Sequence, residues 1–173
     1  MKSILFGCSA LGLFLLFPYA GAAQTTAEES DARIVAELDA YWAEVARTIE
    51  EGDFEGCSRL YHPDAVLVNL EKGYSVPIPQ ALTWWEKAFR DTQAGKTQAR
   101  FRVRFSRRIH DETTAHESGI FEYWFKAEDG SETTDLVHFA DLFVKKEGRW
   151  LTLMEYQKQS ATAAEWAALA PQE

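Results

Sequence analysis

The side chains able to move protons gather in the second half of the chain: His116, Glu122, His138, Asp141, Glu155 and Tyr156. In acid/base catalysis a histidine or carboxylate takes a proton while a phenol or protonated acid stabilises the anion that forms. His138, Glu122, Tyr156 and Asp141 are therefore the catalytic candidates. Trp42, Trp84, His116, Glu155 and, in a second role, Tyr156 are the candidate ligand contacts. Other chemistries find less support. The histidines at 62, 110, 116 and 138 show none of the short spacings of a zinc site, and no glycine-rich phosphate loop occurs, so neither metal nor cofactor is expected. Cys57 falls on the apolar side of a short helix, where a thiol behaves as a small hydrophobe rather than a nucleophile.

Whether these groups meet depends on strand geometry, because successive side chains on a strand point to opposite faces. His116 and Glu122 share one parity, whereas His138 and Asp141 have opposite parity and cannot both face one pocket without a bulge. Along 133–146 the even residues Leu136, Ala140 and Leu142 compete with Val137, Phe139 and Phe143, so the inward face of that strand stays open. Tyr156 shares parity with Trp150, Thr152 and Met154, which makes it a candidate pocket donor.

The elements that must position these residues follow from periodicity. Ile34, Leu38, Trp42, Val45 and Ile49 recur at helical spacing and predict an amphipathic helix over 31–51, ended by Gly52. Asp53 can cap a second, short helix that stops before His62-Pro63. Ala65–Leu70 and Tyr74–Ile78 read as a small hairpin, and Pro79 opens a third helix. Four long β-segments follow, at 97–110, 114–127, 133–146 and 149–158, joined by short turns that require antiparallel neighbours. Thr162 to Glu165 forms a capping-box pattern ahead of a last short helix in the tail 159–173.

Met1-Lys2, an apolar run from Ile4 to Phe17 and small residues to Ala22 read as a secretory signal peptide over 1–22. The run is too short to span a bilayer, so export is expected, to a periplasmic or extracellular compartment, without a stable membrane anchor. Residues 23–30 are expected to be a mobile leader. Loss of Lys2 leaves 17 basic against 27 acidic residues, net −10, which argues against nucleic acid as a partner. Cys57 is then the one cysteine left, and no internal disulfide can form.

The order of elements, with Ile49-Glu-Glu-Gly52-Asp53-Phe54 leading to Leu60-Tyr61-His62-Pro63-Asp64-Ala65-Val66 and with Phe143 to Leu151 as closing hairpin, resembles the nuclear transport factor two-like superfamily, also called the SnoaL-like or cystatin-like cone. The resemblance covers 31–158. It implies an α+β fold in which a curved antiparallel sheet wraps around N-terminal helices to leave a conical pocket, and it implies dimerisation through the outer face of the sheet. Because the superfamily holds both enzymes and noncatalytic proteins, two functions are expected of such a chain. One is binding of a small hydrophobic molecule in the cone, as a homodimer. The alternative is a cofactor-free isomerase, dehydratase or cyclase acting on a small hydrophobic carbonyl compound.

Overall fold

The computed structural model describes residues 20–170. Helix α1 spans Ala20–Glu51, α2 Phe54–Ser58, β1 Tyr61–Asn69, β2 Tyr74–Pro77 and α3 Ile78–Gln93. Four long strands follow, β3 Gln98–His110, β4 Thr114–Lys126, β5 Glu132–Lys146 and β6 Arg149–Ser160, before a short α4, Ala163–Ala168. Helix α1 starts well ahead of Asp31, so residues 23–30 are helical where a leader was expected. The expected signal peptide lies outside the described residues up to position 19. Among the described residues, no helix is long and apolar enough to cross a membrane.

All six strands form one sheet in the order β2-β1-β6-β5-β4-β3. The meander β3 to β6 is antiparallel throughout, as its short turns require. The hairpin joins it through a parallel pairing of β1 with β6, a long-range contact with no local signal in either segment. The chain is thus α+β, a curved and mostly antiparallel sheet with N-terminal helices on its concave side.

Helix α1 lies in that concavity. Its periodic residues Ile34, Leu38, Tyr41 and Trp42 pack against Phe101, Val103, Ala115, Phe139, Phe143 and Trp150 of the meander. Leu38 and Phe143 are completely buried, and burial of each such side chain contributes about 1.5–3 kcal/mol. A second cluster, Ala65, Leu67, Ile78 and Ala81, holds α3 to the β1-β2 hairpin. The turn after α1 fits only glycine. Gly52 has φ +69°, and a Cβ there would stand 2.4 Å from the amide nitrogen of Gln93 and from the carbonyl oxygen of Phe89.

Irregularities of register help decide which side chains face the helices. The register of β3 on β4 shifts between Phe105 and Arg107, leaving Ser106 as the extra residue. Before the shift the odd residues Ala99, Phe101 and Val103 are buried inward and Arg100 and Arg102 are exposed. Beyond it Arg108 turns inward, donating from Nε to Glu117 at 2.5 Å and from Nη1 to Asp39 of α1 at 2.6 Å. On the other edge of the meander, Leu142 pairs with Met154 but Phe143 pairs with Thr152, which inserts Leu153 into β6. The pocket-side parity of β6 therefore changes from even at Thr152 to odd at Glu155.

The outer face of the sheet receives α4. The Thr162 hydroxyl and the Glu165 side chain complete the expected capping box. Arg104 donates from Nη1 to the carbonyls of Trp166 and Leu169, at 2.8 and 3.1 Å, and its guanidinium lies 4.3 Å from the Trp166 ring centre. Ile120, paired in register with both Arg104 and His138, is buried on this face.

Candidate functional site

Between α1, α3 and the concave sheet lies a cavity of about 520 Å³. Its walls are aromatic: Trp42 from α1, Trp85 and Phe89 from α3, Phe101 from β3, and Phe121 and Tyr123 from β4. The ring of Trp42 lies within 3° of parallel to Phe101, which stacks in turn on Phe121, so one wall is flat. Trp42 is held there by its indole N–H, which donates to Glu117 Oε2 at 2.5 Å. Glu117 has no exposed surface and also accepts from Arg108, so its charge is balanced inside the core.

Polar groups line part of the cavity. Asp141 of β5 and Glu155 and Gln157 of β6 line it, together with Tyr61 and Asn69 of β1 and the Tyr41-Thr152 pair. The Tyr61 hydroxyl donates to Glu155 Oε2 at 2.6 Å and Gln157 Nε2 donates to Glu155 Oε1 at 2.7 Å. Asn69 Nδ2 donates to Gln157 Oε1 at 2.8 Å, and the backbone N–H of Lys72 donates to Asn69 Oδ1 at 2.8 Å. Asp141, 5% exposed, accepts a single hydrogen bond, from the backbone N–H of Tyr156 at 3.0 Å. Tyr41 and Thr152 share a hydrogen bond of 2.6 Å between their hydroxyls.

These surroundings separate the two carboxyls. Burial holds Asp141 well above the usual carboxylate range, and the neighbouring charge of Glu155 pushes the same way; one backbone N–H opposes them. Burial raises Glu155 too, but the Tyr61 hydroxyl and the Gln157 amide both favour its charged form. Of the two, Asp141 is thus the one pushed further toward its protonated form. Burial also drives the Tyr41 and Tyr61 phenols well above their ordinary value and pushes the Cys57 thiol up to about 12. Cys57 therefore lines the cavity as a thiol. Among the described residues, no group of three or more His, Cys, Asp or Glu is placed to hold a metal ion.

Of the residues singled out in the sequence, Asp141, Glu155 and Trp42 line the cavity. His138 does not. The inward residues of β5 are Val137, Phe139, Asp141 and Phe143, so His138 points to the outer face, where Nε2 lies 3.3 Å from Glu165 Oε1 of α4. Glu122 and His116 lie on the same outer parity of β4. Arg102 donates to Glu122 Oε1 from Nε and Nη2 at 2.9 and 2.6 Å. Tyr156 is turned away by the Leu153 bulge, its ring facing Lys158, and only its backbone N–H serves the site. Trp84 is 49% exposed on α3 and meets Tyr74 edge-on; its neighbour Trp85 lines the cavity instead. Tyr61, Asn69 and Gln157 carry no local signal of a site, because the parallel pairing of β1 with β6 alone brings them together.

No protein-family model and no curated protein matches this sequence. Solved structures do. An NTF-2-like protein of unknown function from Shewanella oneidensis superposes with a TM-score of 0.56 at 14% identity, covering 72% of this chain and 98% of the other. The chain has an NTF2-like fold. A conserved protein from Planctomyces limnophilus superposes with a TM-score of 0.63 at 11% identity, over 75% of this chain and 99% of its own. A protein from Catenulispora acidiphila, solved in complex with S-DNPA, gives 0.57 at 19% identity over 73% and 93%. At such low identity these superpositions show the fold alone and leave function to the cavity itself.

Proposed function

We propose that this NTF2-like domain is an acid/base catalyst for a small, largely apolar carbonyl compound bound in the cone. The observation that carries the reading is the convergence of Asp141 and Glu155, with raised and unequal proton affinities, inside one aromatic cavity. A general base works best when its proton affinity approaches the working pH, and burial moves Glu155 in that direction. In the proposed step Glu155 removes a proton from the carbon next to the carbonyl. The C–H electron pair moves into the new C=C bond and the carbonyl pair onto oxygen. Protonated Asp141 donates a hydrogen bond to that oxygen as charge develops, where the low local dielectric strengthens the interaction. Return of the proton from Glu155 to a different carbon gives an isomer; its delivery to a departing β-hydroxyl gives water and an enone. The flat Trp42-Phe101-Phe121 wall suits a planar, conjugated body.

The test uses 2-tetralone in deuterated buffer, with deuterium uptake at the α-carbons followed by proton NMR. Wild-type protein should accelerate exchange over buffer, and Glu155→Gln should lower the enzymatic rate at least about 100-fold with an unchanged circular dichroism spectrum. Full exchange by Glu155→Gln would remove Glu155 as base. The same aromatic wall favours a second reading, a binding module without turnover, which the complexed Catenulispora acidiphila protein also supports. Saturable quenching of tryptophan fluorescence by 2-tetralone with no exchange above buffer would select it.

A further inference from the structure

The polar side of the cavity contains an ordered chain of amides whose direction is set at its far end. A backbone N–H can only donate, so the N–H of Lys72, in the turn between β1 and β2, must meet the oxygen of the Asn69 amide. That leaves the Asn69 NH₂ to face β6, where it donates to Gln157 Oε1. With its oxygen so engaged, the Gln157 amide presents its NH₂ to Glu155 Oε1. Turned over, the same amide would bring a second oxygen against the carboxylate and lose two hydrogen bonds at once. Asn69 and Gln157 face each other directly in the β1-β6 register, and Asn69 is buried, so the chain has no easy alternative arrangement.

We propose that Asn69, which does not touch Glu155, is a positioning residue that holds the Gln157 amide with its NH₂ toward the Glu155 carboxylate. This rests on the reading of Glu155 as the working base, and it adds what keeps that base ready. A carboxylate that accepts two directed donors, Tyr61 and Gln157, stays charged beside its neighbours more easily than one that accepts a single donor. The other titratable and charged groups that line the cavity with Glu155 are Asp135 and Asp141 from β5, Tyr123 from β4, Tyr41 from α1, Cys57 from α2, Tyr61 from β1, Lys158 of β6, and Glu71 and Lys72 of the turn. None of them donates to Glu155 Oε1, so the Gln157 amide is the lever through which Asn69 acts.

The experiment reads the side-chain carboxyl of Glu155 directly, by carbon NMR of the full chain labelled at its glutamate carboxyls, with the signal assigned by its loss in Glu155→Gln. No substrate is needed, so the outcome is independent of whether the domain turns anything over; the exchange assay above tests that separately. Gln157→Met removes the donor and should move the Glu155 midpoint upward by about one pH unit, the worth of one hydrogen bond to a charged group. Asn69→Leu should shift the midpoint the same way. Combined with Gln157→Met it should add nothing further, because its effect passes through an amide already gone. Asn69→Asp is the companion variant, since it keeps an acceptor for the Lys72 N–H and so the turn, but has no hydrogen to offer Gln157. Its upward shift should be larger with Gln157 present than in the Gln157→Met background. Unchanged midpoints in the Asn69 variants, or shifts of equal size with and without Gln157, would overturn the proposal.

Discussion

Replacing Asp141 by asparagine should remove one source of the stability that the domain loses as pH rises toward neutrality. In the folded protein the carboxyl is buried beside Glu155 and keeps its proton well above the range in which the unfolded chain releases it. The folded state therefore binds more protons than the unfolded state across the window from ordinary carboxylate values up to the raised value of Asp141. Stability contributed by this group is fully present below that window and is lost as pH rises through it. With one proton of difference the slope is about −1.4 kcal/mol per pH unit, which for a domain of this size moves the melting temperature down by about 3–5 °C per unit. Asparagine cannot ionise, and its Oδ1 can still accept the Tyr156 N–H. The variant should match or fall slightly below the parent at pH 5 and exceed it at pH 7–8. Carboxylates held low by ion pairs, such as Glu44 and Asp53 beside Arg47, respond alike in both proteins and cancel in the difference. Thermal unfolding followed by circular dichroism at pH 5, 6, 7 and 8 measures that difference. Parallel curves for parent and variant would show that Asp141 ionises normally, and the assignment of acid and base would fail with it.

Trp42→Phe keeps an aromatic ring in the wall but withdraws the N–H from buried Glu117, and should destabilise the domain by about 1–3 kcal/mol in urea unfolding; unchanged stability would contradict the role of that hydrogen bond. Gly119→Ala should cost more than about 3 kcal/mol or prevent folding, because its Cβ would stand 2.0 Å from the Arg104 carbonyl where β4 meets the bulged part of β3; soluble yield and melting temperature report it, and wild-type stability would contradict the close approach.

Local chemistry is legible in the order of residues alone. The spacing of Ile34, Leu38, Trp42, Val45 and Ile49 marks the buried stripe of α1, and the alternation along β3 separates Phe101 and Val103 from Arg100 and Arg102. Glycines and short turns mark the meander, and the order of elements is enough to suggest the cone. The incompatibility of His138 and Asp141 is also visible there, since parity on an unbroken strand is a purely local property. Strand parity fails where one residue is inserted, and the extra Leu153 in β6 exchanges Tyr156 for Glu155 at the cavity. No residue type in Leu151 to Gln157 marks that insertion.

What the sequence determines by itself is the set of elements and the apolar face of each, because periodicity and turn chemistry act over a few residues. What only the tertiary structure decides is which polar side chains share a cavity. The parallel seating of β1 on β6 brings Tyr61 and Asn69 to Glu155 and Gln157 across 94 and 88 residues of chain. The burial of Asp141 beside Glu155 then raises the proton affinity of both carboxyls, that of Asp141 further. Both effects depend on distance and dielectric in the folded state, quantities that no local pattern encodes.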